Sequence, residues 1–436
     1  MKIGTVTGSV WATRKAGCLM GQTFLVVETG CESLVAADQV GAGPGDRVLL
    51  ATGTVASRYC MDAPIDAAVV AIWTGRINMS IHEMLIAVMA AFAVLGAVDR
   101  IIGNRFGLGQ EFENGILAMG SMGLAMIGII SLSPVLAGLL RPVVVPVYEF
   151  LGADPAMFAG TLLACDMGGG PLARELSTDS QAALLGGVIT GSMMGATIVF
   201  TIPVAMGIVE AEDRPALAKG ILAGIVTIPV GILVGGLVAG FPALMVARNL
   251  IPIVIIAALI AVGLWKAEKA MVRGFELFGK GVVAVITVGL AAIIVEVLTG
   301  FVVIEGLAPI EEGFATVGNI AIVLAGAFPL VYAITRLLRQ PLLKLGRTLG
   351  VNDVAAAGLV ATLANSIATF SMVKDMDRRG KVVNTAFAVS AAFVFGDHLG
   401  FTAGFAPEML PAMILGKLAG GVAAVAVALL LTRKEA

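Results

Sequence analysis

The chain has 436 residues, of which 58% are hydrophobic and only 13% charged, and its mean hydropathy is +0.99. A soluble domain carries about 25% charged residues, so a soluble globular protein is excluded for most of this chain. The net charge of −2 excludes a basic nucleic-acid binder. Two His and four Cys (Cys18, Cys31, Cys60, Cys165) without CxxC spacing point to neither a metal centre nor a redox pair.

Residues 1–75 are mixed in composition, whereas long apolar runs dominate from about residue 80. The stretch MKIGTVTGSVWATRK has no continuous apolar core, so it does not read as a signal peptide. KIGTVTGSVWAT, TFLVVET, DRVLLATGTVA and AAVVAIW are short, rich in Val, Ile and Thr, and partly alternating, as half-buried strands are. GAGPGD at 41–46 and DAP at 62–64 supply the turns. Four or five strands in so short a segment predict a small closed barrel, since closure removes exposed edges. A core this small favours oligomerisation. Trp11 and Trp73 read as core or subunit contacts rather than ligand platforms.

These motifs, with LVAADQVGAGPGDRVLLATGTVASR and APIDAAVVAIW, resemble the EutN/CcmL family of bacterial microcompartment vertex proteins. The resemblance implies an OB-like barrel that forms pentamers at the vertices of a protein shell, with no catalytic residues. It maps the turn around the pentamer's central opening to Thr52, Gly53, Thr54, Val55 and Ala56. Residues 76–79 read as a linker. Met79-Ser80 looks like the start of an independent protein, as either a natural gene fusion or two joined reading frames would leave it.

Residues 80–436 read as a polytopic α-helical membrane domain, which makes the chain mainly α. A spanning helix needs roughly 20 apolar residues. Candidates lie near 82–102, 115–140, 181–208, 216–240, 249–265, 280–299, 316–335, 382–400 and 409–432. Two shorter stretches, 155–170 and 353–372, carry Gly168-Gly169-Gly170-Pro171 and Asn365-Ser366 and read as broken or re-entrant segments, which gives nine to eleven helices. A weak repeat at a constant offset of 198 pairs FENGILAMG (112–120) with IEEGFATVG (310–318) and Leu139-Leu140-Arg141 with Leu337-Leu338-Arg339. It divides the domain into halves of about 80–265 and 271–436 and puts the two broken segments in equivalent places, where transporters build binding sites. The basic loops at Lys266–Lys280 and Arg336–Arg347 belong in the cytoplasm by the positive-inside rule. The N-terminal domain is expected on that same side of the cytoplasmic (inner) membrane.

A carboxylate at a helix centre costs on the order of 2.5–3.5 kcal/mol on insertion scales, so it needs a partner or a wet cavity. Asp166 sits in TLLACDMGGG at the first break, and Asp397 and His398 sit in FVFGDHLGF. These three are the candidate cation-binding or proton-carrying groups, with Asn365, Ser366 and Thr161 as polar companions. The bland alternative is a carboxylate that caps a helix or pairs with Arg. Asp99, Glu149 and Glu296 fit that alternative better. No Walker loop, G-x-S-x-G or HExxH is present, so neither ATP-driven transport nor enzymatic catalysis is expected, and neither is a cofactor or a metal.

FENGILAMGSMGLAMIG, PVVVPVYEFLGADPAMFAGTLLACDMGG, GSMMGATIVFTIPVA, NDVAAAGLVATLANSI, DMDRRGKVVNTAFAVSAAFVFGDHLGF and ILGKLAGG resemble the EutH family of ethanolamine-utilization membrane proteins. The resemblance implies a permease for ethanolamine; loops near 103–111 and 241–248 look shorter than in that family. The expected partners are therefore ethanolamine, the lipid bilayer and microcompartment shell proteins, with a homo-oligomer formed through the N-terminal domain and no nucleic acid. Ethanolamine is a primary amine, mostly cationic at neutral pH. A buried carboxylate with hydroxyl or amide groups suits it; Phe158, Phe395 and Phe401 read first as core residues and second as candidates for cation–π contact. The competing reading is a structural membrane anchor that tethers a shell without transport.

Overall fold

Five short strands build the N-terminal unit: β1 (Lys2–Val10), β2 (Phe24–Thr29), β3 (Glu32–Asp38), β4 (Arg47–Thr52) and β5 (Ala67–Ile72). The computed structural model describes all residues except 1, 11–14, 17–18, 20–21, 31, 54–55, 57–64, 74–79 and 434–436, and leaves out the side chains of 338–340, 342, 343, 345 and 347. The chain divides into two compact units, Met1–Met79 and Ser80–Ala436.

The strands close in the order β1-β2-β3-β5-β4. Every pairing is antiparallel except β3 with β5. The period-2 alternation seen in the sequence aims Val6, Leu25, Val27, Val48, Leu50 and Val69 into one core. The Asp38 carboxylate accepts the backbone N–H groups of Val40, Gly41 and Ala42 at 3.0–3.2 Å and so ties down the following turn. Ile3 and Val35 remain 46% and 55% exposed on the outside. The Arg47 guanidinium covers the Trp73 ring at 3.8 Å. Trp11, Cys18, Cys31, Cys60, Thr54, Val55 and the 76–79 linker lie outside the described residues.

The second unit is helical. Among the described residues, seven helices are long and apolar enough to cross a membrane. α1 (Ile81–Ile101) begins at a capping box, in which Ser80 and Glu83 satisfy each other's backbone N–H groups. It leaves Val88, Val94, Leu95 and Val98 exposed, an apolar face suited to lipid. α2 (Leu108–Phe150) is followed by two short helices, α3 (Ala156–Leu162) and α4 (Gly169–Leu176). α5 (Ser180–Ile208) is wound as π-helix over 185–195 and 197–201. α6 (Arg214–Ile225) and α7 (Ile228–Val238) form one apolar span, and α8 (Ala243–Thr299) follows. α9 (Ile310–Thr348), the short α10 (Asp353–Ala364), α11 (Ser366–Ser371), α12 (Arg378–Ala391) and α13 (Asp397–Phe405), and the spanning α14 (Leu410–Leu431) complete the unit.

The breaks arise from specific backbone events. After α3 the chain turns extended at Leu163, winds a short 3₁₀ turn over Cys165–Met167, and reverses at Gly168 with φ +105°. After α10, Asn365 is extended and its side chain accepts the N–H of Ile367, which starts α11. The sequence of long helix, short helix, break and short helix thus occurs twice, as α2–α3–α4 and α9–α10–α11, and α2 packs along α9.

The candidate helices 249–265 and 280–299 both lie in α8 and are separated there, as expected, by a kink at Ala267 (φ −144°, ψ 46°) in the charged stretch around Lys266 and Lys269. One expectation differs from what is found: the candidate helix 382–400 is cut in two between α12 and α13. Its apolar residues satisfy a hydropathy window, but the N–H groups of Phe393 and Phe395 donate to Thr362 and Leu363 of α10 at 3.2 and 2.9 Å. Those tertiary bonds replace the helical ones.

Packing fixes the breaks in space. π-Helical α5 lies against α3, α14 against α7, and α12 against α6. At Gly195 of α5, an added Cβ would collide with the carbonyl oxygen of Leu163. Thr197 donates to Met193 at 2.6 Å and comes within 3.0 Å of the Val389 carbonyl on α12. Lys381 of α12 pairs with Asp213, which opens α6, with side chains only 16% and 11% exposed. Removing one member of a buried pair strands the other charge, at a cost of about 3–5 kcal/mol. Asp213→Asn is therefore expected to lower the melting temperature of the detergent-solubilised chain. Adding Lys381→Met should recover part of the loss; an unchanged melt of the single variant would refute the role.

Candidate functional site

The breaks bring polar groups to a cavity of about 190 Å³ whose walls include Ser121, Asp166, Phe200, Phe393, Asp397 and His398. Each group is presented by a local departure from regular helix. Asp166 rides on the 3₁₀ turn between α3 and α4. Asp397 and His398 open α13, where the helix N-terminus favours a carboxylate. Phe393 holds φ at +61°, a strained conformation for a side chain of its size, and packs edge-on against Phe200 with ring centres 5.4 Å apart.

A fourth ionisable group joins them. Lys417, in the middle of α14, is 1% exposed. Its ammonium donates to the Ser192 carbonyl of the π-helix and to Nδ1 of His398, the latter at 3.1 Å. An ammonium has donors only, so Nδ1 accepts and the ring proton belongs on Nε2. Nε2 faces Asp166 Oδ1 across 3.9 Å. That gap is too long for a hydrogen bond and leaves Asp166 open to a ligand. Asp397 has neither a hydrogen bond nor a salt bridge among the described residues. Two carboxylates and one ammonium leave a net single negative charge in a low-dielectric pocket, which one monovalent cation neutralises.

Of the six residues singled out from the sequence, Asp166, Asp397 and His398 share this cavity. Asn365 lines a neighbouring cavity of about 340 Å³, together with Asp397. Thr161 is buried and donates back to the Met157 carbonyl at 2.5 Å. Ser366 is buried with its hydroxyl unpartnered, and neither lines these two cavities. Phe395 belongs to the second cavity, while Phe401 stacks on Phe405 and Phe158 meets Tyr148 edge-on.

Sequence reasoning passed over Lys417. Its signal is a lone Lys inside an otherwise apolar 22-residue helix, which is itself a functional pointer in a membrane. Phe393 and the Ser192 carbonyl carry no comparable signal, because backbone geometry alone puts them here.

Cys165, Asp166 and His398 bring their ligand atoms within 4.8 Å of one another. The donor types suit a borderline metal ion. With Nδ1 of His398 accepting from Lys417 and the ring proton on Nε2, neither ring nitrogen offers a lone pair to a metal, so the set as arranged does not fit one. A larger cavity of about 700 Å³ near α2 and α8 mixes Arg141 and Arg248 with Glu149, Asp154 and Asp179. There, burial pushes the Asp154 carboxyl above its ordinary range, against the hydrogen bonds it accepts from Ala156 and Ser177.

Residues 81–431 match the family model described as "Ethanolamine utilisation protein, EutH", and residues 1–73 match "Ethanolamine utilisation protein EutN/carboxysome". The chain is 61% identical over 356 residues to the "Probable ethanolamine permease EutH" of Listeria monocytogenes, covering 82% of this chain and 95% of that one. It is 49% identical over 395 residues to the protein of the same name from Escherichia coli K12, covering 82% and 97%. Its first part is 46% identical over 81 residues to the "Carboxysome shell vertex protein CcmL" of Synechococcus elongatus, covering 16% of this chain and 82% of that one.

Gly168 sets the position of Asp166. Its φ of +105° disfavours any side chain, and a Cβ there would strike the Ile129 side chain. Gly168→Ala is expected to cost about 1–3 kcal/mol, read as a lower melting temperature. An unchanged melt would show that this turn tolerates a side chain.

Proposed function

Because the chain belongs to the EutH family over residues 81–431 and carries a EutN/CcmL domain over residues 1–73, we propose that residues 80–436 form a permease for ethanolamine in the cytoplasmic membrane, joined to a shell vertex domain at residues 1–75. One observation carries the substrate reading: a buried pocket between broken helices holds two carboxylates and one lysine, with a net charge that calls for a single monovalent cation. Ethanolammonium is such a cation. Its ammonium is held by Asp166 and Asp397, its hydroxyl oxygen accepts from Nε2 of His398, and Phe200 and Phe393 exclude water from its methylenes. The molecule is small enough for a space of about 190 Å³. Asp397 lines a second cavity as well, which supports an approach to the site from that side. The substrate leaves chemically unchanged.

The relatives' names support the reading, and so does the architecture. A membrane anchor needs one span; the seven spans and the cost of burying Asp166, Asp397 and Lys417 have no purpose in an anchor. The barrel adds association with a microcompartment shell and self-association through its outer face, where Ile3 and Val35 are exposed.

Uptake of labelled ethanolamine by cells lacking other carriers, at acidic pH where free diffusion of the neutral amine is small, tests the permease. The full chain should support uptake. Asp166→Asn removes one of two charges that hold a desolvated cation, a loss of about 2–5 kcal/mol, and uptake at low concentration should fall roughly 30- to 4,000-fold at unchanged membrane insertion. Lys417→Met leaves two uncompensated carboxylates, so KM and the maximal rate should both fall as the substrate is held too tightly. Absence of uptake by the inserted full chain would overturn the permease. Separately, the mass of the detergent-solubilised full chain by light scattering should be a multiple of the protomer; a strict monomer would overturn self-association.

A further inference from the structure

We propose that the cavity of about 340 Å³ beside the site is a second cation subsite, an antechamber that binds a small alkylammonium before it passes Asp397 into the inner pocket. The proposal rests on the permease reading and extends it to a second place on the chain.

The argument begins with Asp397, which lines both cavities. Its carboxylate makes no hydrogen bond or salt bridge with any described residue, although the surrounding helix bundle is apolar. A carboxylate so placed needs a mobile partner, because desolvating it alone is costly. Asp397 can face a cation from either side. The lining of the outer cavity also includes Glu111, in the first turn of α2. Glu111 receives one long hydrogen bond, 3.4 Å from the Asn114 amide to Oε2, which leaves Oε1 available. No Lys or Arg lines this cavity among the described residues. Two carboxylates without a basic residue focus a negative potential into the space between them.

The rest of the wall fits the body of an amino alcohol. Phe328, Tyr332 and Phe395 present aromatic rings, which favour an alkylammonium over a hard, strongly hydrated metal ion. The Thr335 hydroxyl can pair with a ligand hydroxyl. Among the described residues Asp397 is the one that lines both cavities. It stands with Gly396 at the cut between α12 and α13, where Phe395 is tied to α10 by its backbone. The break that creates the inner pocket therefore also creates the outer one. With Glu111, Asp397, Asp166 and Lys417 counted together, the two cavities carry a net charge of two negatives, enough for a cation in each.

The test uses the purified full chain with Thr335→Cys as reporter and 2-aminoethyl methanethiosulfonate, a cationic thiol reagent with the aminoethyl group of the substrate, as probe. The parent chain supplies the background for its native thiols, of which Cys165 is buried. The cationic probe should modify the introduced thiol at least about tenfold faster, relative to a free thiol in solution, than the neutral methyl reagent does. Ethanolamine should protect that thiol, and Glu111→Gln should weaken the protection. The decisive arm adds Asp166→Asn, which disables the inner pocket: protection should persist. Ala364→Cys, in the lining of the same cavity, repeats the measurement if Thr335→Cys does not insert. Ethanolamine that is transported by the parent yet leaves both reporters unprotected would overturn the subsite, as would protection that vanishes with Asp166→Asn. Protection without any uptake by the parent would keep the subsite and overturn the permease.

Discussion

An unpaired charge inside an apolar helix bundle is among the most expensive things a protein can hold, and this chain holds Asp166, Asp397 and Lys417 together. Most of the unusual features of the helical unit serve that requirement. Lys417 donates to the main-chain carbonyl of Ser192, which lies in the π-wound stretch 185–195. The imidazole of His398 accepts from the same ammonium and turns its N–H toward Asp166. The carboxylates keep free faces, so the pocket is charged by one unit and unfilled. A structural ion pair would be closed; this arrangement is open on the side where the cavities lie.

The broken backbone follows from the same constraint. A membrane helix satisfies its own N–H and C=O groups and has none to give. At Leu163–Gly168, at Asn365 and at Phe393–Gly396 the chain leaves the helix and its polar groups become available for tertiary bonds. The third break is held by α10, through Phe393 to Thr362 and Phe395 to Leu363. Close backbone approach makes such bracing possible, as where Gly195 lies on the Leu163 carbonyl. The strain at Phe393 is carried by that network and places an aromatic ring over the pocket.

The barrel obeys a different rule. Its strands are too few to bury a large core, so closure and a tight turn at Asp38 take the place of size. Closure leaves no edge for pairing, and the remaining adhesive surface is the set of exposed aliphatic side chains on its outside. Membership in a shell-vertex family agrees with such a surface.

Much of this was legible in the residues themselves. Apolar runs of spanning length, the alternation over 1–75, the Gly run after Asp166 and the Asn365-Ser366 pair are local patterns, and local patterns report on local structure: the membrane domain, the closed barrel and two of the breaks. The carboxylates Asp166 and Asp397 were visible because charge in an apolar run is conspicuous. The cut between Phe393 and Gly396 was not, since nothing in AVSAAFVF interrupts hydropathy; it depends on bonds to α10, a separate helix earlier in the chain. Lys417 was written in plain view but gained meaning only when α14 set it against His398 and Ser192. Thr161 and Ser366 stand close to the breaks in sequence, yet both are buried and neither lines the two cavities. Sequence by itself determined which segments enter the membrane and which charges must be accounted for there, because both follow from transfer free energy. Tertiary structure decided which charges meet, since distances between groups far apart in the chain are set by packing alone.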